Sequence, residues 1–172
     1  MTGASRPSRQ KGTTGAVGVT ADTPFRGMPT GTLDKKGRVC VPSRYRQILV
    51  AQDTTGIIIR KALASLSLEC FSESVMAAIN QSQARDDMYF RGAHDLTSFA
   101  LHSLCEDLAI DETGRVRLPE EMIAYAGLKE NVTFVGMGRK FEIWDSERYA
   151  PVYNERLAAV QAEAHKPAGM SS

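Results

Sequence analysis

The sequence predicts an α+β fold in which two copies of one structural unit form a single intertwined β-barrel with internal pseudo-two-fold symmetry and short helices. Three observations predict it: a motif that occurs twice, a helical pattern after each copy, and a β-rich pair of segments after each helix. The chain has 172 residues, enough for one domain or two small ones with a buried core.

The first observation is a repeat at an offset of 77 residues. The stretch "DKKGRVCVPSRYR" at 34–46 has the same skeleton as "DETGRVRLPEEMI" at 111–123. The glycine in each copy permits the positive φ that a tight turn between strands requires. Each motif therefore predicts a strand, a turn and a second strand, in which Gly37 and Pro42 have structural roles.

Helical segments follow both motifs. The stretches "SRYRQILVA" after Pro42 and "EEMIAYAGL" after Pro119 place apolar residues on one side of a helix. Each proline is expected in the first helical turn, where its missing N–H costs nothing. Gly127 is expected to end the second of these helices.

A β-rich pair follows each helix, first "GIIIR" with "SLSLECF", then "NVTFVG" with "KFEIW" across a turn at Gly138. Ser72 and Asp145 are the expected N-caps of the helices that end the two units. Pro151 is expected to kink or restart the last helix. One unit has too few strands to close a sheet alone, so the two units are expected to share a core that includes Phe141 and Trp144.

These elements divide the chain into five segments. The first is rich in Gly, Ser and Thr with little to bury, which predicts a disordered tail, although a basic, acid-poor start also suits an organelle transit peptide. The segments are 1–24 (tail), 25–79 (first repeat), 80–105 (linking helical segment), 106–150 (second repeat) and 151–172 (C-terminal helix and tail).

Composition excludes several classes of protein. The formal net charge of +1 provides no overall basic field, so a nucleic-acid partner must be bound by a local patch. Three cysteines, Cys40, Cys70 and Cys105, have no paired spacing and favour a reducing cytosol over a disulfide framework. No apolar run approaches the roughly 18 residues of a membrane span. We therefore expect a cytoplasmic protein without membrane contact.

Charge is distributed unequally between the two repeats. Residues 26–46 contain six cations and one acid, a net charge of +5, whereas residues 106–130 contain three cations and seven acids, a net charge of −4. A local cluster of cations is what phosphate contacts require, and an arginine fork suits a phosphate or a guanine edge. A simpler interpretation is that each Asp–Arg pair stiffens its turn. The expected DNA-contacting cations are Lys35, Lys36, Arg38 and Arg44.

The stretches "TLDKKGRVCVPSRYR", "LAIDETGRVRLPEEMIAYAGL" and "VGMGRKFEIWD" together resemble the MraZ family of bacterial transcriptional regulators, over roughly residues 25–150. The resemblance implies a tandem SpoVT-AbrB-like (swapped-hairpin) fold and a ring-shaped homo-oligomer. It also implies binding to short tandem DNA repeats upstream of the cell-division and cell-wall gene cluster, usually as a repressor. The family's motif residues correspond to Asp34 and Arg38, and to Asp111 and Arg115. The family's usual arginine-rich linking helix reads "TSFALHSLCEDL" here.

Two other kinds of site lack the residues that they require. An aspartic protease needs two Asp–Thr/Ser–Gly turns, and "DKKG" with "DETG" do not supply them. His102 and Cys105 could bind a metal, but no second pair completes a site. We therefore expect no enzyme, no metal and no cofactor. The remaining alternative is an oligomeric scaffold or protein-interaction module whose basic and acidic faces bind each other rather than DNA. The second motif, with Asp111, Arg115 and Arg117, is expected to contact either DNA or another protomer.

The sequence thus predicts a nucleoid-associated regulator that binds double-stranded promoter DNA as a homo-oligomer.

Overall fold

The computed structural model describes residues 18–86, 96 and 98–165, and these residues form an α+β fold. The predicted tail falls outside the described residues up to position 17, and the linking segment does so at 87–95 and 97. A short π-helix, Phe99–Ser103, precedes the second repeat. The other described elements are β1 Thr30–Thr32, β2 Arg38–Cys40, α1 Ser43–Ala51, β3 Gly56–Lys61, β4 Leu68–Phe71, α2 Glu73–Asp86, β5 Cys105–Ala109, β6 Arg115–Arg117, α3 Glu120–Ala126, β7 Asn131–Gly136, β8 Phe141–Asp145 and α4 Ser146–Ala164.

Six of the strands form one antiparallel sheet in the order β1-β7-β8-β4-β3-β5. Each unit contributes its first strand to the hairpin of the other unit, since β1 pairs with β7 and β5 pairs with β3. The two hairpins meet in the middle, where β4 pairs with β8. If each strand is replaced by its counterpart in the other unit, the same strand order is obtained from the opposite edge and every pairing is kept. The sheet therefore has the two-fold pseudosymmetry that the sequence repeat predicts.

The prediction of a closed barrel is wrong for the part of the chain that the structure describes. Strands β2 and β6 leave the large sheet and pair with each other as a separate two-stranded ribbon. The tight turn of each motif lies directly before its ribbon strand. Across the first turn, Leu33 and Val39 form an isolated antiparallel β-bridge. Strands β1 and β5 consequently remain at opposite edges of the six-stranded sheet.

The main core lies between this sheet, the ribbon and helices α1 and α3. Val39 of the ribbon and Tyr45 of α1 are almost fully buried there, beside an aromatic cluster that contains Phe25 and Phe141. The opposite face of the sheet is covered by α2 and the π-helix on one half and by α4 on the other. Trp144 packs under α4, so Phe141 and Trp144 are both buried as predicted.

Both helices that follow the motifs form as predicted, but each proline lies one residue before its helix. Pro42 has φ −52° and ψ 138°, and Pro119 has φ −59° and ψ 141°, so both are N-cap residues. The fixed φ of proline suits this extended position. Helix α3 ends at Gly127, which has φ 58° as a left-handed C-cap.

The structure confirms the predicted N-cap of the last helix. The Asp145 carboxylate accepts a hydrogen bond from the backbone N–H of Arg148 at 3.2 Å and caps α4. The helix does not restart at Pro151, because it is continuous from Ser146 to Ala164. Within the described ranges, no helix combines the length and the apolar character needed to cross a bilayer.

Candidate nucleic-acid interface

The first motif forms a rigid loop around the carboxylate of Asp34. Its Oδ1 accepts hydrogen bonds from the backbone N–H groups of Lys36 and Arg38, both at 2.9 Å. Its Oδ2 accepts one from Nε of Arg38 at 2.8 Å, and Nη2 lies 2.7 Å from the same oxygen. Gly37 takes φ 73° at the turn. The side-chain hydrogen bond from Arg38, followed by the backbone ones, lowers the pKa of Asp34 from 3.8 to about 2.

The second motif has nearly the same loop. Oδ1 of Asp111 accepts hydrogen bonds from the backbone N–H and the hydroxyl of Thr113, at 2.9 and 2.6 Å, and from the backbone N–H of Arg115 at 2.9 Å. The guanidinium is held more loosely, with Nε of Arg115 at 3.4 Å from Oδ2. The Thr113 hydroxyl is the main reason that the pKa of Asp111 is lowered to about 2.

The ribbon locks the two loops together. The carbonyl of Gly37 accepts a hydrogen bond from Leu118, and the carbonyl of Gly114 accepts one from Val41, at 2.8 and 2.9 Å. In the ribbon Arg38 lies opposite Arg117, Val39 opposite Val116, and Cys40 opposite Arg115. The two valines are buried in the core. Because side chains alternate along a strand, the outer face of the ribbon carries Arg38, Cys40, Arg115 and Arg117.

The cations around this face differ in how firmly they are held. Arg38 is fixed by Asp34. The side chains of Lys35, Lys36 and Arg44 are exposed, and within the described part of the chain they form no hydrogen bond or ion pair. Arg44 lies in the first turn of α1, directly after β2 and Pro42. The interface thus combines a rigid arginine with exposed cations that can adjust to a ligand.

The arginines of both repeats lie on one ribbon although the two stretches differ in net charge. Arg38, Arg115 and Arg117 lie there, while the half-exposed carboxylate of Asp111 is hydrogen-bonded within its own loop. Glu121 is drawn toward Lys61, with 3.3 Å between carboxylate and ammonium. The local repeat pattern predicted each turn but contained no information about which strands pair.

Arg46 contributes to the site in a way that the sequence did not indicate. Its Nε donates a hydrogen bond to the carbonyl of Val41 at 3.1 Å, and its guanidinium packs on Gly114, where a Cβ would overlap it. The position 77 residues later is Ile123, which packs on Gly37 in the same manner. Each helix after a motif therefore supports the turn of the other motif. Aligning the two repeats identifies the pair, but only the fold shows the crossed contact.

The described residues include no group of three or more His, Cys, Asp or Glu side chains arranged to hold a metal ion.

Comparison with known proteins finds relatives over most of the chain. A model of the family described as "MraZ protein, putative antitoxin-like" matches residues 105–167. The protein named "Transcriptional regulator MraZ" from Azorhizobium caulinodans is 39% identical over 120 residues, which are 70% of this chain and 76% of the relative. A protein of the same name from Beijerinckia indica is 34% identical over 120 residues, with 70% and 73% covered. Another from Parvibaculum lavamentivorans is 31% identical over 160 residues, with 84% and 96% covered.

Proposed function

This chain belongs to the MraZ family, and we propose that it is a transcription regulator that binds double-stranded DNA through the β2–β6 ribbon and the loop before it. The names of the relatives support transcription regulation. The observation that carries the DNA-binding part is the loop in which Asp34 fixes Arg38 between the exposed cations Lys35, Lys36 and Arg44.

The physical argument starts from the phosphates of DNA. Each cation that neutralises a phosphate releases counterions, and this gain provides most of the sequence-independent affinity. Lys35 and Lys36 precede β2 and Arg44 follows it, so exposed cations lie beyond both ends of this strand and suit this role. A two-stranded ribbon also fits the width of the major groove. Arg38 is held at its Nε side by Asp34, so its outer N–H groups can point to a phosphate or a guanine edge.

The proposal also includes assembly of the protein into a homo-oligomer. One protomer presents few cations, so its affinity for one site is expected to be modest. A ring-shaped homo-oligomer that repeats the ribbon along tandem promoter repeats would multiply weak contacts into tight binding. Protein bound to repeats upstream of the cell-division and cell-wall genes would block their transcription. The protein would then be a repressor, located in the cytoplasm at the nucleoid. The exchange of β1 and β5 between the two hairpins supports a swapped-hairpin, AbrB-like fold.

The test is a titration of the full-length protein onto a labelled duplex from upstream of its own gene, beside a scrambled duplex, at several salt concentrations. The variants are Lys35→Ala, Lys36→Ala and Arg44→Ala. The matched control is Arg139→Ala, an exposed arginine in the β7–β8 turn. That turn lies beyond the end of β7 that is farther from the ribbon, and the six residues of β7 alone span roughly 17 Å.

The proposal predicts salt-sensitive binding that prefers the native duplex and weakens in the three ribbon variants but not in the control. Equal binding of both duplexes at every salt concentration, by folded protein, would contradict it. If the protein forms oligomers that salt dissociates but binds no DNA, the scaffold alternative replaces the regulator.

A further inference from the structure

The ribbon contains a feature that the proposed function does not use. Arg38 and Arg117 come from different repeats and lie directly opposite each other on the outer face. Residues in this relationship have Cβ atoms about 5 Å apart, and like charges there destabilise a sheet. Asp34 compensates the charge of Arg38. Within the described part of the chain, the exposed Arg117 forms no hydrogen bond or ion pair with any side chain.

The equivalent pair at the other end of the ribbon contains only one arginine. The residue 77 positions before Arg117 is Cys40, which lies opposite Arg115. Only one end of the ribbon therefore carries two opposed arginines. It is the end next to the loop with Lys35 and Lys36. An unpaired cation in this place makes the free protein less stable but increases its attraction for an anion.

We propose that Arg117 binds a backbone phosphate of DNA beside Arg38, so that the DNA-contacting surface of one protomer is built from both repeats. The inference rests on the proposed function and adds a residue and a role to it. The phosphate supplies the negative charge that the pair of arginines lacks. Arg38 is already oriented by Asp34, whereas the N–H groups of the Arg117 guanidinium make no hydrogen bond to the residues that the structure describes. A phosphate contact carries no sequence information, so Arg117 contributes affinity and not selectivity.

The test compares Arg117→Gln, which removes the charge, with Arg117→Lys, which keeps it. Arg139→Gln is the matched control for loss of one exposed arginine. Each full-length protein is titrated onto the native and the scrambled duplex over a range of salt concentrations. Its thermal unfolding is followed without DNA at low salt and at about 1 M salt, where charges are screened within about 3 Å.

Arg117→Gln is expected to weaken binding of both duplexes by the same factor, about tenfold at low salt, and to reduce the slope of log K against log salt by about 1 for each bound protomer. Without DNA the same variant is expected to melt at a higher temperature than the wild type at low salt, with the difference lost at high salt. Arg117→Lys should retain most of the slope, and Arg139→Gln should match the wild type.

Other outcomes overturn the inference. If Arg117→Gln lowers the preference for the native duplex instead of binding overall, Arg117 reads a base and binds no phosphate. Unchanged binding, or a lower melting temperature at low salt, would show a structural role. These results leave the proposed function intact as long as the wild type prefers its native duplex. A wild type that binds neither duplex overturns both.

Discussion

The carboxylate of Asp34 holds the guanidinium of Arg38, with Oδ2 2.8 Å from Nε and 2.7 Å from Nη2, while its other oxygen accepts two backbone hydrogen bonds of the same loop. One side chain therefore stiffens the turn and also fixes the direction of the arginine. The two interpretations of the Asp–Arg motif, a structural brace and a binding residue, are compatible in this arrangement.

Replacing Asp34 separates the effect of charge from that of rigidity. Asp34→Asn makes the loop more positive by one charge, so simple electrostatics predicts tighter DNA binding. We expect weaker binding instead, by roughly 2- to 10-fold, because Arg38 must then be immobilised when DNA binds. The measurement is a titration of the native duplex with wild type and variant. Tighter binding by Asp34→Asn would show that charge dominates over orientation.

Acid should destabilise the protein in a defined range of pH. The pKa values of Asp34 and Asp111 are lowered from 3.8 to about 2. Lowered values mean that the folded state prefers the ionised carboxylates, so their contribution is present above pH 3.8 and is lost as the pH falls to 2. Urea unfolding from pH 5 to pH 2 should show this loss. The double variant Asp34→Asn/Asp111→Asn should show a smaller slope, and an unchanged slope would contradict the assignment.

Gly114 contributes to stability through its positive φ and through its contact with Arg46. Alanine variants of two glycines can separate these effects. Its φ of 82° is costly for any residue with a Cβ, by about 1–2 kcal/mol, and a Cβ there would also overlap the guanidinium of Arg46. Gly138 has φ 78° but open space around it. Gly114→Ala should therefore destabilise more than Gly138→Ala in urea unfolding. Adding Arg46→Ala should remove the excess. Equal effects of the two glycine variants would show that the contact between Arg46 and Gly114 adds no cost to a Cβ at this position.

Three cations compensate two buried acids in the middle of the sheet, and Lys140 lies near both acids. Glu69 and Glu142 lie opposite each other on β4 and β8, both buried, and Lys140 lies between their carboxylates. Burial raises the pKa of Glu69, but hydrogen bonds from Lys140 and Arg60 outweigh it and lower the pKa overall.

Lys140→Met should destabilise the fold by roughly 1–3 kcal/mol, because the two facing acids lose the cation between them and are then compensated by Arg60 beside Glu69 and Arg156 beside Glu142. Glu69→Gln in the same background should recover part of the loss. Lys129→Met, which breaks the exposed pair with Glu147, is the control and should change little. Equal unfolding midpoints for Lys140→Met and Lys129→Met would disprove the role of Lys140.

A buried tyrosine should limit stability at alkaline pH. The hydroxyl of Tyr45 donates to the carbonyls of Arg26 and Gly27, at 3.2 and 3.1 Å, and burial raises its pKa to about 12. A raised pKa means that its contribution is complete below pH 10 and is lost as the pH rises to 12. Tyr45→Phe should cost about 1 kcal/mol at pH 7 and flatten the alkaline loss. An identical alkaline curve for the variant would contradict this.

Local features of the fold could be predicted from the sequence, because neighbouring residues determine them. The turns at Gly37 and Gly114, the helices after both prolines, and the cap at Asp145 are examples. The pairing of β1 with β7 and of β2 with β6 could not be predicted, because these contacts join residues 75 to 103 positions apart and leave no local pattern. The predicted barrel failed for this reason. The opposition of Arg38 and Arg117 was missed for the same reason.

Cys40 allows the most direct test that the ribbon is the DNA interface. It is exposed on the outer face, opposite Arg115 at one end of the ribbon, whereas Cys70 is fully buried and Cys105 lies at the start of β5. The measurement is the rate of Cys40 alkylation, followed by mass spectrometry, with saturating native or scrambled duplex. The account predicts that the native duplex slows alkylation of Cys40 and leaves the rate at Cys105 unchanged. Alkylation of Cys40 at the same rate with and without bound native duplex would contradict it.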